Sequence, residues 1–370
     1  MKISYRFEGF VLLLCAALLA GCGESPNQTT TDDDAAVVAV PKYSAEAFFA
    51  TTSYGLGGGF AYSSDNSRLL MHSDKTGVFN VYALPVDGSD AVALTESESD
   101  AMFAVSWFPN DERILFTFDN GGDELNHVVV REMDGSFKDL TPGENIKSAF
   151  AGWSSDRQSF YLTSNERDPA SFDLYRYAAS DYARELVYEN PGLTIGAISG
   201  DGRWLALVKP RTSADSDVFV VDMTSDTKEA VLVTEHEGNI AYNVHDIAPD
   251  NRTLIYATDE YGEFGQAWSH DLETGEKSVL VAADWDVSYV SFSASGTYRV
   301  VGVNADARTE VTITDVETGA AIALPKLPPG DLRNIRFSAD ESKLALIVNA
   351  DNSPSNIHAI DIETSTVTQL

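Results

Sequence analysis

A short phrase recurs seven times along the chain: an aromatic or aliphatic residue, a small residue, then a turn rich in Asp, Asn, Ser and Gly. The phrases are Tyr62-Ser63-Ser64-Asp65, Phe108-Pro109-Asn110-Asp111, Trp153-Ser154-Ser155-Asp156, Ile198-Ser199-Gly200-Asp201-Gly202, Ile247-Ala248-Pro249-Asp250, Phe292-Ser293-Ala294-Ser295-Gly296 and Phe337-Ser338-Ala339-Asp340. Position 65 and its equivalents follow one another at intervals of 46, 45, 45, 49, 45 and 45 residues. A period of roughly 40 to 50 residues marks propeller blades or helical arrays, in which each unit leans on its neighbours to bury its apolar face.

Each phrase precedes a β-rich run, such as Leu69 to His72, Ile114 to Phe118 or Trp204 to Val208. A second alternating run comes next, such as Phe79 to Val86 or Val218 to Asp222, usually ending in Asp-Gly or Thr-Gly as at Asp87-Gly88, Asp134-Gly135 and Thr274-Gly275. Those pairs supply the backbone angles of turns between antiparallel strands. A last apolar stretch closes the unit, as in Leu94-Thr95 and Leu140-Thr141. With the strand before the phrase, the unit is four short antiparallel strands and has no 3.6-period segment long enough for a helix pair. Helical solenoids are excluded, and the expectation is an all-β fold, a seven-bladed β-propeller of four-stranded antiparallel blades. A β-sandwich would not need this self-similarity. Seven units of 45 residues counted from Leu56 end on Leu370, so residues 56–370 are read as the propeller.

Ahead of the repeats, Lys2 and Arg6 precede an apolar run from Phe10 to Ala20 and then Leu19-Ala20-Gly21-Cys22. A basic head and a short apolar run read as an export signal, too short for an ordinary membrane span. The small residues before Cys22 resemble a bacterial lipobox. Residues 1–22 are therefore expected to be a lipoprotein signal, with Cys22 acylated and the chain held at the membrane through that lipid alone. Gly23 after the cysteine resembles the Gram-negative sorting pattern for the periplasmic face of the outer membrane. Residues 23–41 read as a flexible tether and 42–55 as a lead-in segment. Cys15 leaves with the signal and Cys22 is consumed by lipid. The exported domain must then be held by its core, which 44% hydrophobic residues can supply.

A formal charge of −32 argues against a nucleic-acid partner, because phosphate backbones are bound by clustered Lys and Arg. The acids fall mostly in turns and at strand ends, as on a solvated surface; an acidic funnel for cationic peptides is the alternative.

No GxSxG elbow occurs, since Gly196-Ala197-Ile198-Ser199-Gly200 has its serine one place too late. His72, His127, His236, His245, His270 and His358 are scattered over the repeats without HExxH, so neither metal nor cofactor is expected. Asp119 to Glu124 has oxygen ligands but not EF-hand spacing and reads as a tight turn. Gly57-Gly58-Gly59 is read as a bend ahead of the first strand. Two charged clusters break the repeat pattern: Asp123-Glu124-Leu125-Asn126-His127 and Asn165-Glu166-Arg167-Asp168-Pro169. Both fall between second and third strands of adjacent units, so Glu124, His127, Glu166 and Arg167 are expected at one rim, as an interblade salt bridge or as ligand contacts. Asp284 and Trp285 precede the sixth unit's first strand and are candidates to face a central channel. Trp107, Trp153, Trp204 and Trp268 are expected to pack between blades.

The phrases, together with Ser73-Asp74-Lys75-Thr76-Gly77-Val78-Phe79-Asn80, the cluster at Asn165 to Pro169 and Ala282-Ala283-Asp284-Trp285-Asp286-Val287-Ser288, resemble the N-terminal propeller of exported bacterial serine peptidases of the prolyl oligopeptidase family, which includes acylaminoacyl and dipeptidyl peptidases. The phrases alone also resemble TolB and other periplasmic propellers. The family resemblance implies a propeller that caps an α/β-hydrolase domain and restricts access to short peptides. It further implies that Ser, Asp and His lie in the hydrolase, downstream, with no counterpart in residues 1–370. For this chain it implies a substrate-gating module that is not an enzyme by itself, with an α/β-hydrolase domain as partner and a peptide as ligand. The alternative is a stand-alone TolB-like lipoprotein that binds envelope proteins.

Overall fold

The computed structural model of the chain describes residues 42–350 and 353–370. Cys22, the rest of the leader and the stretch 23–41 lie outside the described residues. The chain divides into two compact units, Met1–Ala50 and Thr51–Leu370. In the first, the helix Ala45–Phe49 is capped by Ser44, whose Oγ accepts the Ala47 N–H at 3.3 Å.

The second unit is built of seven antiparallel sheets taken in chain order. Their first strands are Tyr54–Leu56, Met102–Trp107, Ser148–Trp153, Thr194–Ile198, Tyr242–Ile247, Asp286–Phe292 and Asp331–Phe337. Six sheets have four strands, and the sixth has three. In that blade the fourth position is held by a single bridge between Thr314 and Ala321 and by the Ile322 N–H donating to the Ile313 carbonyl at 2.8 Å. Pro325, Pro328 and Pro329 come directly after and have no N–H to continue a ladder. The seven-bladed β-propeller expected from the repeat is thus the fold.

Residues alternate sides along a strand, so each blade presents one apolar row to the blade before it and another to the blade after it. Seven buried clusters result, one per junction. Leu70, Val81 and Ala83 of the first blade meet Trp107, Ile114 and Phe116 of the second. The neighbouring residues Leu69 and Met71 face the other way, onto Ala345, Ile347 and Ile357 of the seventh. Trp107 lies in the first of these junctions, and Trp204 packs between the fourth and fifth blades. Because the seventh blade draws its four strands from residues 331–369, the ring closes with no strand exchanged; side-chain packing and hydrogen bonds, among them Arg336 Nε to the Gly57 carbonyl at 3.0 Å, hold the seam.

The recurrent phrase is the turn between first and second strands. In Ser63, Ser154, Ser199 and Ser338 the buried Oγ donates to the aspartate two residues on at 2.6–2.7 Å. The same oxygen accepts the N–H five residues on, as from Trp204 to Ser199 at 2.8 Å. The residue after the aspartate adopts a left-handed backbone: Asn66, Arg157, Gly202 and Glu341 have φ of 57°, 61°, 75° and 59°. Asn and Gly tolerate this region best, so Arg157 and Glu341 stand out there. Adjacent turns are also tied together, with Ser155 N–H on the Gly200 carbonyl at 2.7 Å and Ser295 N–H on Glu341 Oε1 at 2.8 Å.

Gly57-Gly58-Gly59, expected ahead of the first strand, instead interrupts the inner strand of the first blade. The Gly57 N–H pairs with Leu70 of its own sheet; the chain then steps across so that the Gly59 N–H meets the Val105 carbonyl at 2.9 Å and the Phe60 carbonyl accepts from Trp107 at 2.8 Å. A Cβ on Gly57 would sit 2.8 Å from the Val105 oxygen, and one on Gly59 2.6 Å from Ser106 Oγ. Close backbone approach to the second blade is what requires glycine here.

Ser199→Ala leaves the Trp204 N–H without its acceptor and is expected to lower stability by about 1–3 kcal/mol, read by urea denaturation. The turn hydrogen bonds hold the carboxyls of Asp65 and Asp340 down to about 2, through the Ser63 hydroxyl for Asp65 and, against desolvation, through Ser338 for Asp340. A carboxyl depressed in the folded state stabilises above its unfolded pKa and loses that contribution as pH falls through the folded value. Stability is expected to drop between about pH 4 and pH 2, and Asp65→Asn with Asp340→Asn should flatten that limb of a Tm-against-pH curve.

Candidate functional site

In a four-stranded antiparallel blade the turns after the first and third strands lie on one face of the disc. Those after the second strand, and the links between blades, lie on the other. Topology therefore puts Glu124, His127, Glu166, Arg167, Asp284 and Trp285 on the same face, opposite the recurrent turns.

Contacts do not draw them into one site. Glu124 is exposed, at φ 59°, in a turn whose Asp123 Oδ1 accepts the Leu125 N–H at 2.9 Å. His127 Nδ1 lies 2.7 Å from Asp139 Oδ2, with its ring 5.5 Å from Phe118. Glu166 Oε2 accepts from Arg184 Nη1 at 2.9 Å. Arg167 forks onto the fully buried Asp173 at 2.7 and 2.8 Å and reaches the Asn190 carbonyl at 3.1 Å. All of these partners belong to the residue's own blade, so the interblade salt bridge expected here does not form among the described residues. Trp285 is 41% exposed and tilts against Phe264 of the fifth blade, centroids 5.6 Å apart. Neither it nor Asp284 lines the axial cavity.

The fourth blade repeats the Arg167 device with more charge. Arg211 Nε reaches the buried Asp217 at 2.8 Å, and His236 sits between Asp215, 3.0 Å from Nε2, and the Thr234 carbonyl, 2.8 Å from Nδ1. Both partners of the imidazole accept, which favours its charged form. Its pKa is raised accordingly, first by the carbonyl and then, against desolvation, by the carboxylates. Among the described residues no serine hydroxyl is hydrogen-bonded to a histidine.

A sizeable space lies on the axis, between the inner strands. A cavity of ≈ 560 Å³ is lined by inner-strand residues of the first, third, sixth and seventh blades, among them Phe60, Phe150, Trp153, Arg336 and Phe337. Trp153 is fixed by its Nε1, which donates to Ser106 Oγ at 2.9 Å, and by Phe108 and Phe160 at 5.2 Å each. Arg336 enters this space because the strand Asp331–Phe337 carries a bulge between Arg333 and Arg336, which re-aims the residue after it. Similar bulges occur before Ser106, Ala197, Asp246 and Tyr289. Asp246 shows what burial does at such a position: desolvation pushes its carboxyl up to about 6.

At the mouth on the recurrent-turn side, Arg157 crosses from the third blade to the seventh. Its Nη2 donates to the Ala339 carbonyl at 3.3 Å, and its guanidinium lies 5.2 Å from the Phe60 ring centroid. Sequence reasoning missed both Arg157 and Arg336. A usable signal was present: Arg157 is a cation at the turn position that holds Asn66, Gly202, Asn251 and Gly296 in four other blades and Glu112 and Glu341 in two, and Arg336 is a cation one residue before the apolar start of a phrase.

The family described as Prolyl oligopeptidase, N-terminal beta-propeller domain, matches residues 90–370. No curated protein matches the chain. Among solved structures, a prolyl endopeptidase is similar at 15% identity and a TM-score of 0.64, over 87% of this chain and 50% of that one. A puromycin-hydrolysing peptidase of Mycobacterium tuberculosis is similar at 16% and 0.62, over 86% and 52%. An oligogalacturonate lyase in complex with manganese is similar at 16% and 0.63, over 85% and 92%. The chain thus spans about half the length of the prolyl endopeptidase, and at these identities the likeness to solved structures concerns the fold.

Arg167→Ala strips the buried Asp173 carboxylate of its charged partner and is expected to lower the midpoint of a urea titration. Glu166→Gln, whose partner Arg184 is half exposed, should change stability by less than about 1 kcal/mol.

Proposed function

The chain belongs to the prolyl oligopeptidase N-terminal β-propeller family, and on that premise we propose that it is the substrate-gating module of an exported serine peptidase, acting with an α/β-hydrolase domain. The observation that carries this reading is the match over residues 90–370. The span of about half the prolyl endopeptidase supports it, since a hydrolase domain would account for the remaining length.

Acyl transfer needs a base-activated nucleophile with oxyanion donors beside it. Of the described histidines, His127 and His236 are held by carboxylates, and desolvation lowers His72 and His245 to about 4. Chemistry is therefore assigned to the partner domain. A ring of stiff blades around a narrow axis suits the complementary task of admitting short, unfolded peptides and excluding folded ones.

Attachment to the periplasmic face of the outer membrane through Cys22 is part of the proposal. Its support is the leader itself, with its basic head, apolar run and Leu19-Ala20-Gly21-Cys22.

The purified chain is expected to take up no fluorophosphonate and to cleave no short peptide. An antibody to the propeller should bring down, from the native cell envelope, a fluorophosphonate-labelled polypeptide that carries or binds it. Labelling of the purified chain, or a precipitate with no labelled polypeptide, contradicts the gating role. For the anchor, metabolic palmitate labelling should be lost in Cys22→Ser, with release of the protein from the membrane fraction; label retained in that variant contradicts it.

A further inference from the structure

The axial cavity contains a cation that the protein does not neutralise. Arg336 Nε donates to the Gly57 carbonyl and Nη1 to the Ile335 carbonyl, both at 3.0 Å. The guanidinium has five N–H donors, and its Nη2 has no protein partner among the described residues. Among the described residues no carboxylate pairs with it, although the chain has 57 acidic residues against 25 basic ones. Several other arginines are matched to acids, as in Arg68 with Glu112, Arg113 with Asp111 and Arg167 with Asp173, whereas Arg131 and Arg157 donate to carbonyls. Desolvation pulls the Arg336 pKa down, the sign of a charge withdrawn from water without compensation.

Around this cation the walls are aromatic. Phe60, Phe150, Trp153 and Phe337 line the cavity, and Arg157 brings a second guanidinium, itself bound only to a carbonyl, against Phe60 at the mouth. A volume of ≈ 560 Å³ falls within the range of small-ligand sites. A site with an aromatic wall and one fixed donor fork selects a ligand with a planar anion on an apolar body.

We propose that the axial cavity is a binding site for a carboxylate carried on an apolar or aromatic group, with Arg336 as the anion-binding residue. The same chemistry is presented by the C-terminus of a short peptide and by a free aromatic acid. Arg336 takes the carboxylate on its open edge while the Gly57 and Ile335 carbonyls hold the guanidinium in place. The aromatic walls take the apolar body, and Arg157 limits its length toward the recurrent-turn face. Nothing in this requires a catalytic domain, so the inference stands or falls separately from the gating role.

The test is calorimetric titration of the full chain with a tetrapeptide ending in phenylalanine, as the free acid and as the C-terminal amide, and with N-acetylphenylalanine. The acid is expected to bind about tenfold or more tightly than the amide, with the difference shrinking as salt is raised. Arg336→Met should abolish the preference and Arg336→Lys should weaken it, whereas Arg176→Gln, which removes a charge paired with Glu185 outside the cavity, should leave it intact. Tighter binding of the peptide than of N-acetylphenylalanine assigns the site to peptide C-termini, and the reverse assigns it to free acids. Equal affinity for acid and amide overturns the proposal, as does no binding of any probe up to about 10 mM. The acid–amide comparison on the unaltered chain decides even if an Arg336 variant fails to fold.

Discussion

Apolar contact between neighbouring blades is the interaction on which the rest of this structure depends. A sheet of four short strands cannot bury either face alone, and the seven clusters each join residues of two consecutive blades. The alternation along a single strand does the joining: Leu69 and Met71 serve one neighbour and Leu70 the other. Closure is the same contact made once more, between residues almost 300 positions apart. It needs neither an exchanged strand nor a disulfide, because the seventh blade meets the first with aliphatic surface as well buried as at any other junction.

Given a closed wheel, the turns set what happens at its axis. In four blades the buried serine and its aspartate hold the first-to-second strand turn in one shape, and links such as Ser155 to Gly200 tie neighbouring turns together. The bulge that precedes Ser106, Ala197, Asp246, Tyr289 and Arg336 shifts the register of the inner strands and re-aims the side chains beyond it. Three glycines let the first blade's inner strand step onto the second, so backbone rather than side chain occupies that part of the axis. An open axial space therefore results from local exceptions to a regular repeat, and in it lies an arginine without a carboxylate.

The repeat was legible because it is carried by turn residues that recur in most blades: a small residue, an aspartate, and a residue that tolerates a left-handed backbone. The packing role of Trp107 and Trp204 was legible for a similar reason, since large apolar residues in alternating strands must face a neighbour. Position across blades was not. Spacing put Glu124, His127, Glu166 and Arg167 in equivalent connections, but Asp139, Asp173 and Arg184, the partners that capture three of them, lie elsewhere in the same blade. Asp284 and Trp285 were candidates for the axis by their place before an inner strand, yet Trp285 turns outward onto Phe264. Arg157 reaches the seventh blade only through ring closure, which brings residues 157 and 339 within hydrogen-bond distance. No local pattern encodes that.

If interblade packing is what closes the wheel, loosening one side of the seam must loosen the other. Leu69 is fully buried, packs toward the seventh blade and has no hydrogen bond from its side chain. Hydrogen exchange of the Leu69→Ala variant, read residue by residue in the strands Arg68–Ser73 and Lys343–Ala350, is the direct measurement. Protection is expected to fall in both strands together, by the roughly 2–5 kcal/mol typical of a buried leucine truncated to alanine. Loss confined to the first blade, with the seventh as protected as before, would show that the seam is not held by this packing.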